Sequence, residues 1–219
     1  ILRLMPQRVS TDNLAELLRL RYSPSPDTLF KNIRKVRPGH IVEVDLSKDH
    51  IRAIERPYLL PIPPVAQTSS MEMAQSKYGN LLRQAVERQL MSDVEVGILL
   101  SGGVDSALIA QYAQSLMPNK MKAFTIGFSD TDDSDEIVEA QETAAHLGLD
   151  HQVIRIGFDD FLVKLRDCVL TVEEPLATTS MIPMYYLAEL AARYVKVVLS
   201  GQGADEALGG YRRYQGEVL

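Results

Sequence analysis

Apolar and polar positions follow two regimes along the chain. From residue 69 onward, short apolar runs alternate with stretches of helical period. Residues 95–100, Glu95-Val96-Gly97-Ile98-Leu99-Leu100, are mostly apolar, as expected of a strand covered on both faces. Ile109, Tyr112, Ala113 and Leu116 then recur at helical spacing. Further strands are predicted over 121–128, 151–156 and 195–200. A helix opened by a Ser69/Glu72 capping box carries Met71, Ala74, Tyr78, Leu81 and Ala85 on one face. A second presents Ile137, Ala140, Ala144 and Leu147 and stops at Gly148. A third is expected to bury Phe158, Phe161, Leu162, Leu165, Val169 and Val172. A fourth spans 181–194, with Pro183 tolerated in its first turn. Strands separated by helices imply an α/β fold, a parallel sheet with helices on both faces.

Residues 1–60 lack this alternation. Asp12 is placed to cap a short helix carrying Leu14, Leu17, Leu18 and Arg21, broken by Ser23-Pro24-Ser25-Pro26. Residues 40–46 alternate as a half-buried strand does, and a second short strand is expected over 51–54. These pieces are too few for a core and read as the tail of a preceding β-rich domain. The expected organisation is that remnant over 1–60, a proline-stiffened linker over 61–68, and a nucleotide-handling domain over 69–219.

Composition narrows the function classes. The net charge is −6 and no Lys/Arg-rich run occurs, which argues against a nucleic-acid partner. No run of eighteen apolar residues exists, so no membrane span is expected. Cys168 is the single cysteine. It excludes an internal disulfide, fits a reducing cytoplasm, and reads as a core thiol. The four histidines, at 40, 50, 146 and 151, have no zinc-like spacing. The chain opens on Ile1 with neither an initiator Met nor a signal-peptide pattern, and is expected to be a piece of a longer protein.

The chemistry sits where strands end. Ser101-Gly102-Gly103-Val104-Asp105-Ser106 joins an apolar strand to a helix. Its glycines permit a sharp turn, and the first helical N–H groups lack intrahelical partners. With the helix dipole and the Ser101 and Ser106 hydroxyls, the turn is an anion cradle suited to phosphate. It is not a Walker loop, since no lysine follows the turn. Asp105 would repel bare phosphate, so Mg²⁺ is expected between carboxylate and phosphate. Residues 200–206, Ser200-Gly201-Gln202-Gly203-Ala204-Asp205-Glu206, form a second glycine-rich turn with Asp205 in an equivalent place. Two facing carboxylates would hold the metal against a leaving pyrophosphate. Ile126-Gly127-Phe128, at a third strand end, is placed to flank adenine, although Phe128 reads better as core. The acidic run 130–135 reads first as a solvated helix start, with metal binding as the sharper alternative.

Four ordered motifs carry a resemblance: the hexapeptide at 101–106, Phe124-Thr125-Ile126-Gly127-Phe128, the stretch 174–183, and 200–211. Together they resemble the synthetase domain of glutamine-hydrolysing asparagine synthetase. Residues 28–44 are similar to the end of that family's glutaminase domain. The resemblance implies an adenine-nucleotide α-hydrolase-like fold of the pyrophosphate-loop class, with ATP and Mg²⁺ as cofactors. It implies adenosine contacts from Leu100, Ile126, Ser200 and Gly201. It implies a pyrophosphate loop made by Ser101, Gly102, Gly103, Asp105 and Ser106, and metal carboxylates from Asp105 and Asp205. Gln202 falls where the family often carries an acidic residue associated with the adenylate step; an amide can hydrogen-bond there but cannot act as a base. The loop 174–180 would lie near the aspartate site.

The implied reaction converts aspartate, ATP and ammonia to asparagine, AMP and pyrophosphate through a β-aspartyl-AMP intermediate. Glutamine would supply the ammonia in a full-length protein, which the resemblance also implies can pair as a homodimer. The family's glutaminase cysteine and its C-terminal phosphate-binding lysine are not found in these residues, so the isolated piece is expected not to turn over. A related β-lactam-forming enzyme would keep the chemistry and change the acid. A non-catalytic ATP-binding module would have less need of both Asp105 and Asp205.

Overall fold

The computed structural model describes residues 8–47, 51–59, 70–129, 135–172 and 178–216. Contacts divide the chain into two compact units, Ile1–Thr68 with Val169–Thr178, and Ser69–Cys168 with Thr179–Leu219. The expected linker 61–68, the residue Ser69, the acidic residues 130–134 and the loop residues 173–177 lie outside the described residues.

In the first unit, helix α1 (Thr11–Leu20) is capped by Ser10, whose Oγ accepts from the Asn13 N–H at 3.4 Å. Asp12 is therefore not the cap; it sits in the first turn, because Ser10 holds the extended backbone that precedes the helix. Arg21 ends α1 in the left-handed conformation, and of the helix only Leu17 is buried. Strands β1 (His40–Asp45) and β2 (Arg52–Pro57) pair antiparallel, with Arg56 Nε 3.1 Å from the Glu43 carboxylate across the ladder. The expected half-buried strand is exposed along nearly its whole length, on both faces. Alternation alone buries nothing when a two-stranded ribbon has no layer against either face.

The second unit is built on four strands, β3 (Val96–Leu99), β4 (Lys122–Phe128), β5 (Asp150–Ile156) and β6 (Val197–Leu199), in the order β5-β4-β3-β6 and all parallel. Helices α2 (Met71–Gln89), α3 (Val104–Leu116), α4 (Asp135–Leu147), α5 (Phe158–Val172) and α6 (Met181–Ala192) alternate with them. Two short helices follow, α7 (Ala204–Leu208) and α8 (Arg212–Gln215). The pleat sends Ile98, Leu100 and Ala123 to one face, against Ala110 of α3 and Ala140 and Ala144 of α4. Phe124 points to the other face with Leu99, Ile126 and Val198, against Leu187, Leu190 and Ala191 of α6. The small residues on α3 and α4 let those helices approach the sheet closely. This is the expected parallel sheet with helices on both faces.

Three expected helix or strand surfaces differ. On α2, Ser70 is the observed cap, its Oγ accepting from the Met73 N–H at 3.3 Å. Along α2 only Val86 is buried, with Leu82 and Ala85 half-buried beside it, while Met71, Ala74, Tyr78 and Leu81 are exposed. On α5 the inward positions are Phe161, Lys164 and Cys168, and only Cys168 is fully buried. Phe158, Leu162, Leu165, Val169 and Val172 are exposed, because a broad apolar surface leaves the inward direction undetermined by sequence. Phe128 is 43 % exposed rather than in the core, at the last position of β4.

The chain moves from β3 outward to β4 and β5, then returns to place β6 on the opposite side of β3. The carboxyl ends of β3 and β6 thus flank the point where strand order reverses. In open α/β sheets that is where a crevice forms and ligands bind.

Candidate active site

The first loop begins at Ser101 and leads into α3, whose N-cap residue Gly103 makes no side-chain capping bond. Ala107 N–H makes the first bond back to the Gly103 carbonyl, at 3.2 Å. The N–H groups of Val104, Asp105 and Ser106 precede that bond and lie at the positive end of the helix dipole. Ser106 is buried, and its hydroxyl is the hub of the loop. It accepts from the Ser101 N–H at 3.1 Å and lies 2.9 Å from the Ser101 hydroxyl. It donates toward the carbonyls of Gly103 at 3.0 Å and Ser101 at 3.2 Å. Ser101 Oγ accepts in turn from the Gly103 N–H at 3.2 Å. Each hydroxyl has a single proton, and in this arrangement both serve the loop. The Ser101 and Ser106 hydroxyls thus shape the turn.

The second loop leaves β6 at Ser200. Gln202 N–H donates to Ser200 Oγ at 3.3 Å, and Gly203 takes a left-handed φ of 104°. That conformation starts α7, which places Asp205 in its first turn. The Asp205 carboxylate lies against Gly210, where a β-carbon would collide with it, and the Gly210 N–H donates to the Asp205 carbonyl at 3.0 Å. The two loops touch at Gly201: a β-carbon there would lie 2.6 Å from the Ser106 nitrogen and 2.9 Å from the Asp105 carbonyl carbon.

Between the loops lies a cavity of about 310 Å³. Of the residues singled out by sequence, Leu100, Ser101, Gly103, Asp105 and Ser106 line it from the first loop. Ser200, Gly201, Gln202 and Asp205 line it from the second, and Ile126 from the end of β4. Gly102 does not line it; the Glu139 side chain covers the side on which Gly102 lacks a β-carbon. Phe128 is also absent from the lining.

Leu99, Glu136, Leu187 and Tyr211, to which sequence reasoning gave no role, complete the wall together with Gly203, Ala204 and Met184. Met184 and Leu187 are one helical turn apart on α6, a spacing that does signal a shared face, but not which cavity it meets. Tyr211 donates to the Glu206 carboxylate at 2.8 Å and packs edge-on against Tyr214, with ring centroids 5.5 Å apart. The cavity therefore joins an apolar side, from Leu99, Ile126 and Leu187, to a polar side of loop backbone and three acidic residues, Asp105, Glu136 and Asp205. A flat heteroaromatic ring suits the first, and a polyanion with a hard cation suits the second.

The chain was compared with known proteins. The family model described as asparagine synthase matches residues 77–219. The chain belongs to the asparagine synthase family. Among curated relatives of this asparagine synthase-family chain, a Bacillus subtilis protein named asparagine synthetase [glutamine-hydrolyzing] 1 is 32% identical over 207 residues. The match covers 94% of this chain and 32% of that protein. A Penicillium rubens protein named amidase chyE is 32% identical over 210 residues, covering 88% of this chain and 31% of its own length. The chain thus spans about a third of the length of these curated relatives. A solved structure of an NH3-dependent NAD synthetase from Campylobacter jejuni aligns at 20% identity and a TM-score of 0.42, covering 66% of this chain and 62% of that one. Among the described residues, no helix is long and apolar enough to cross a membrane.

Asp105 and Asp205 line the cavity from its two loops, and one or two carboxylates are the protein share of ligands that Mg²⁺ takes when phosphate and water oxygens supply the rest. The residues present fit that ion.

Proposed function

We propose that the full-length protein forms an amide from a carboxylic acid by adenylation, with aspartate as the acid and asparagine, AMP and pyrophosphate as products. The observation that carries this reading is the meeting of two glycine-bearing strand-end loops, each followed by a carboxylate, over one cavity at the switch point of a parallel sheet. Leu100, Ile126, Ser200 and Gly201 would receive the adenosine. Ser101, Gly102, Gly103, Asp105 and Ser106 would form the pyrophosphate loop, with the backbone N–H groups of 104–106 turned to the phosphates. Mg²⁺ held by Asp105 and Asp205 would neutralise the charge that builds on the leaving pyrophosphate.

In the first step a carboxylate oxygen of the acid attacks the α-phosphorus, and the bond to pyrophosphate breaks. Fixed backbone dipoles favour this step because they need no reorganisation as charge moves outward along the phosphates. Leu99, Ile126 and Leu187 keep water from the adenylate, which would otherwise hydrolyse. Ammonia then attacks the acyl carbon and AMP departs. Gln202 can orient an amide or carboxylate by hydrogen bonding; the proton lost from the attacking nitrogen must go to another acceptor. Glutamine would supply the ammonia, with residues 1–60 as the tail of an amidotransferase domain and 61–68 as the linker to the synthetase domain that begins at 69.

A second reading keeps the adenylation and changes the acid. It is favoured by the amidase-named relative, which matches this chain at the same 32% identity as the asparagine synthetase. The test is a panel of amino and carboxylic acids given to the full-length protein with ATP, Mg²⁺ and ammonium. AMP release dependent on aspartate supports the first reading. AMP release with another acid alone supports the second. ADP and phosphate would contradict both.

A further inference from the structure

The peptide unit that opens the first loop is held from both sides. Its N–H, from Ser101, donates to Ser106 Oγ at 3.1 Å. Its carbonyl, from Leu100, accepts from Thr125 Oγ1 at 2.7 Å. The preceding N–H of Leu100 is fixed as well, donating to the Phe124 carbonyl at 2.9 Å. Thr125 is 2 % exposed and lies on β4 between apolar neighbours, where a hydroxyl is costly unless bonded. A valine of the same shape would fill the space without the cost, so the hydroxyl has a specific task. Its oxygen also meets His151 Nε2 at 2.7 Å, from β5. A hydroxyl has one proton, and here it goes to Leu100; the imidazole must then donate through Nε2–H. That bond fixes the hydroxyl rotamer. A chain of donors thus runs from His151 on β5 through Thr125 on β4 to the carbonyl of Leu100, the residue between the end of β3 and the loop.

We propose that Thr125, oriented by His151, is a positioning residue that sets the Leu100–Ser101 peptide plane and with it the anion-binding geometry of the loop 101–106. β3 ends at Leu99, and among the described residues no ladder bond secures this carbonyl. Without the hydroxyl the plane can rotate, and the donors of the loop lose their common aim. The inference rests on the proposed reading of that loop as a pyrophosphate site.

The experiment measures binding of inorganic pyrophosphate with Mg²⁺ by calorimetry, and kcat and KM for ATP, in the full-length protein and in Thr125→Val and Thr125→Ser. Thr125→Val is expected to fold, to bind pyrophosphate about tenfold more weakly, and to raise KM for ATP by a similar factor, the scale of one buried hydrogen bond lost. Thr125→Ser, which keeps the hydroxyl, is expected to stay within about twofold of the parent. His151→Leu removes only the orienting donor and is expected to weaken pyrophosphate binding about threefold; it carries the comparison if Thr125→Val does not fold. Unchanged pyrophosphate binding in the folded Thr125→Val protein overturns the positioning role, as does a Thr125→Ser protein as impaired as Thr125→Val. A parent protein that binds no pyrophosphate and makes no AMP overturns the functional reading itself.

Discussion

Gly201 stands so close to Ser106 that a β-carbon on it would lie 2.6 Å from the Ser106 nitrogen. The two loops that line the cavity are in backbone contact there. No flexible side-chain end is available to yield, since the opposing atoms are backbone.

The substitution Gly201→Ala is therefore expected to force the loops apart. Overpacking of this kind costs ~1–3 kcal/mol. Thermal melting should fall by roughly 2–4 °C for each kcal/mol lost in a unit of this size. Activity should fall further than stability, by about two orders of magnitude, because misplacement of reacting groups by even an ångström has that scale of effect. A steady-state assay beside a melting curve separates the two; wild-type kcat/KM in Gly201→Ala would show that the contact does not govern the site.

Ser106→Ala removes the hub hydroxyl and leaves the Ser101 N–H without its partner, while the Gly103 carbonyl keeps its bond from the Ala107 N–H. Ser101 and Gly103 are exposed, so water can replace the lost partner and the expected cost is about 0.5–1.5 kcal/mol, the net worth of an ordinary hydrogen bond. Denaturant titration of Ser106→Ala against the parent measures it directly.

Asp105→Asn and Asp205→Asn each keep shape and remove a charge. Each is expected to lower AMP formation by about 10²–10³-fold, the scale of losing one electrostatic contact in a transition state. If both carboxylates hold one ion, the double variant should be little worse than either single one, as groups that act as a unit are non-additive. Fully multiplicative losses in the double variant would contradict a shared ion.

The His151 ring is held below its ordinary value of 6.5 by desolvation. Protonation leaves Nε2–H in place, so the bond to Thr125 survives, but a charge must enter a half-buried site. Between 6.5 and the lower folded value the unfolded chain binds more protons than the folded one. Stability should therefore fall as pH drops through that window and be regained above 6.5. Chemical denaturation across this range, repeated on His151→Gln, checks it: the variant should show a shallower dependence.

Cys168 is buried, and desolvation, followed by the Asp167 charge, raises its thiol. A thiol that is both hidden and protonated reacts slowly, since the thiolate is the nucleophile. Iodoacetamide labelling mapped by mass spectrometry should leave Cys168 unmodified in the folded protein and modify it in denaturant.

The parts of the fold legible in sequence are those where one short-range pattern has one physical outcome. Ile137, Ala140 and Ala144 repeat at helical spacing and all three are buried against the sheet. The apolar run ending at Leu100 is a strand covered on both faces, and the glycine turn after it opens a helix at the cavity. On α5, Phe161 turns inward as its spacing predicts, but it does so with Lys164 and Cys168, while Phe158, Leu162, Leu165, Val169 and Val172 stay outside. Helical period gives a face only when the apolar arc is narrow. Within the site, Asp105, Gly201 and Asp205 were visible through glycine and carboxylate patterns. The hydrogen bonds of the Ser106 hydroxyl within the loop are not legible in sequence, because its partners are set by neighbours in space. Thr125 and His151 are 26 residues apart, and only the sheet register brings them together. Tyr211 and Met184 reach the cavity from elements whose packing no local pattern determines.

The central claim is that the acid, not water, attacks the α-phosphorus of ATP. It is tested most directly by giving the full-length protein aspartate labelled with ¹⁸O in its side-chain carboxylate, with ATP, Mg²⁺ and ammonium, and weighing the nucleotide and phosphate products. Adenylation followed by amide formation transfers one labelled oxygen to AMP and none to pyrophosphate. Label in inorganic phosphate beside ADP, or AMP formed without label, would contradict the account.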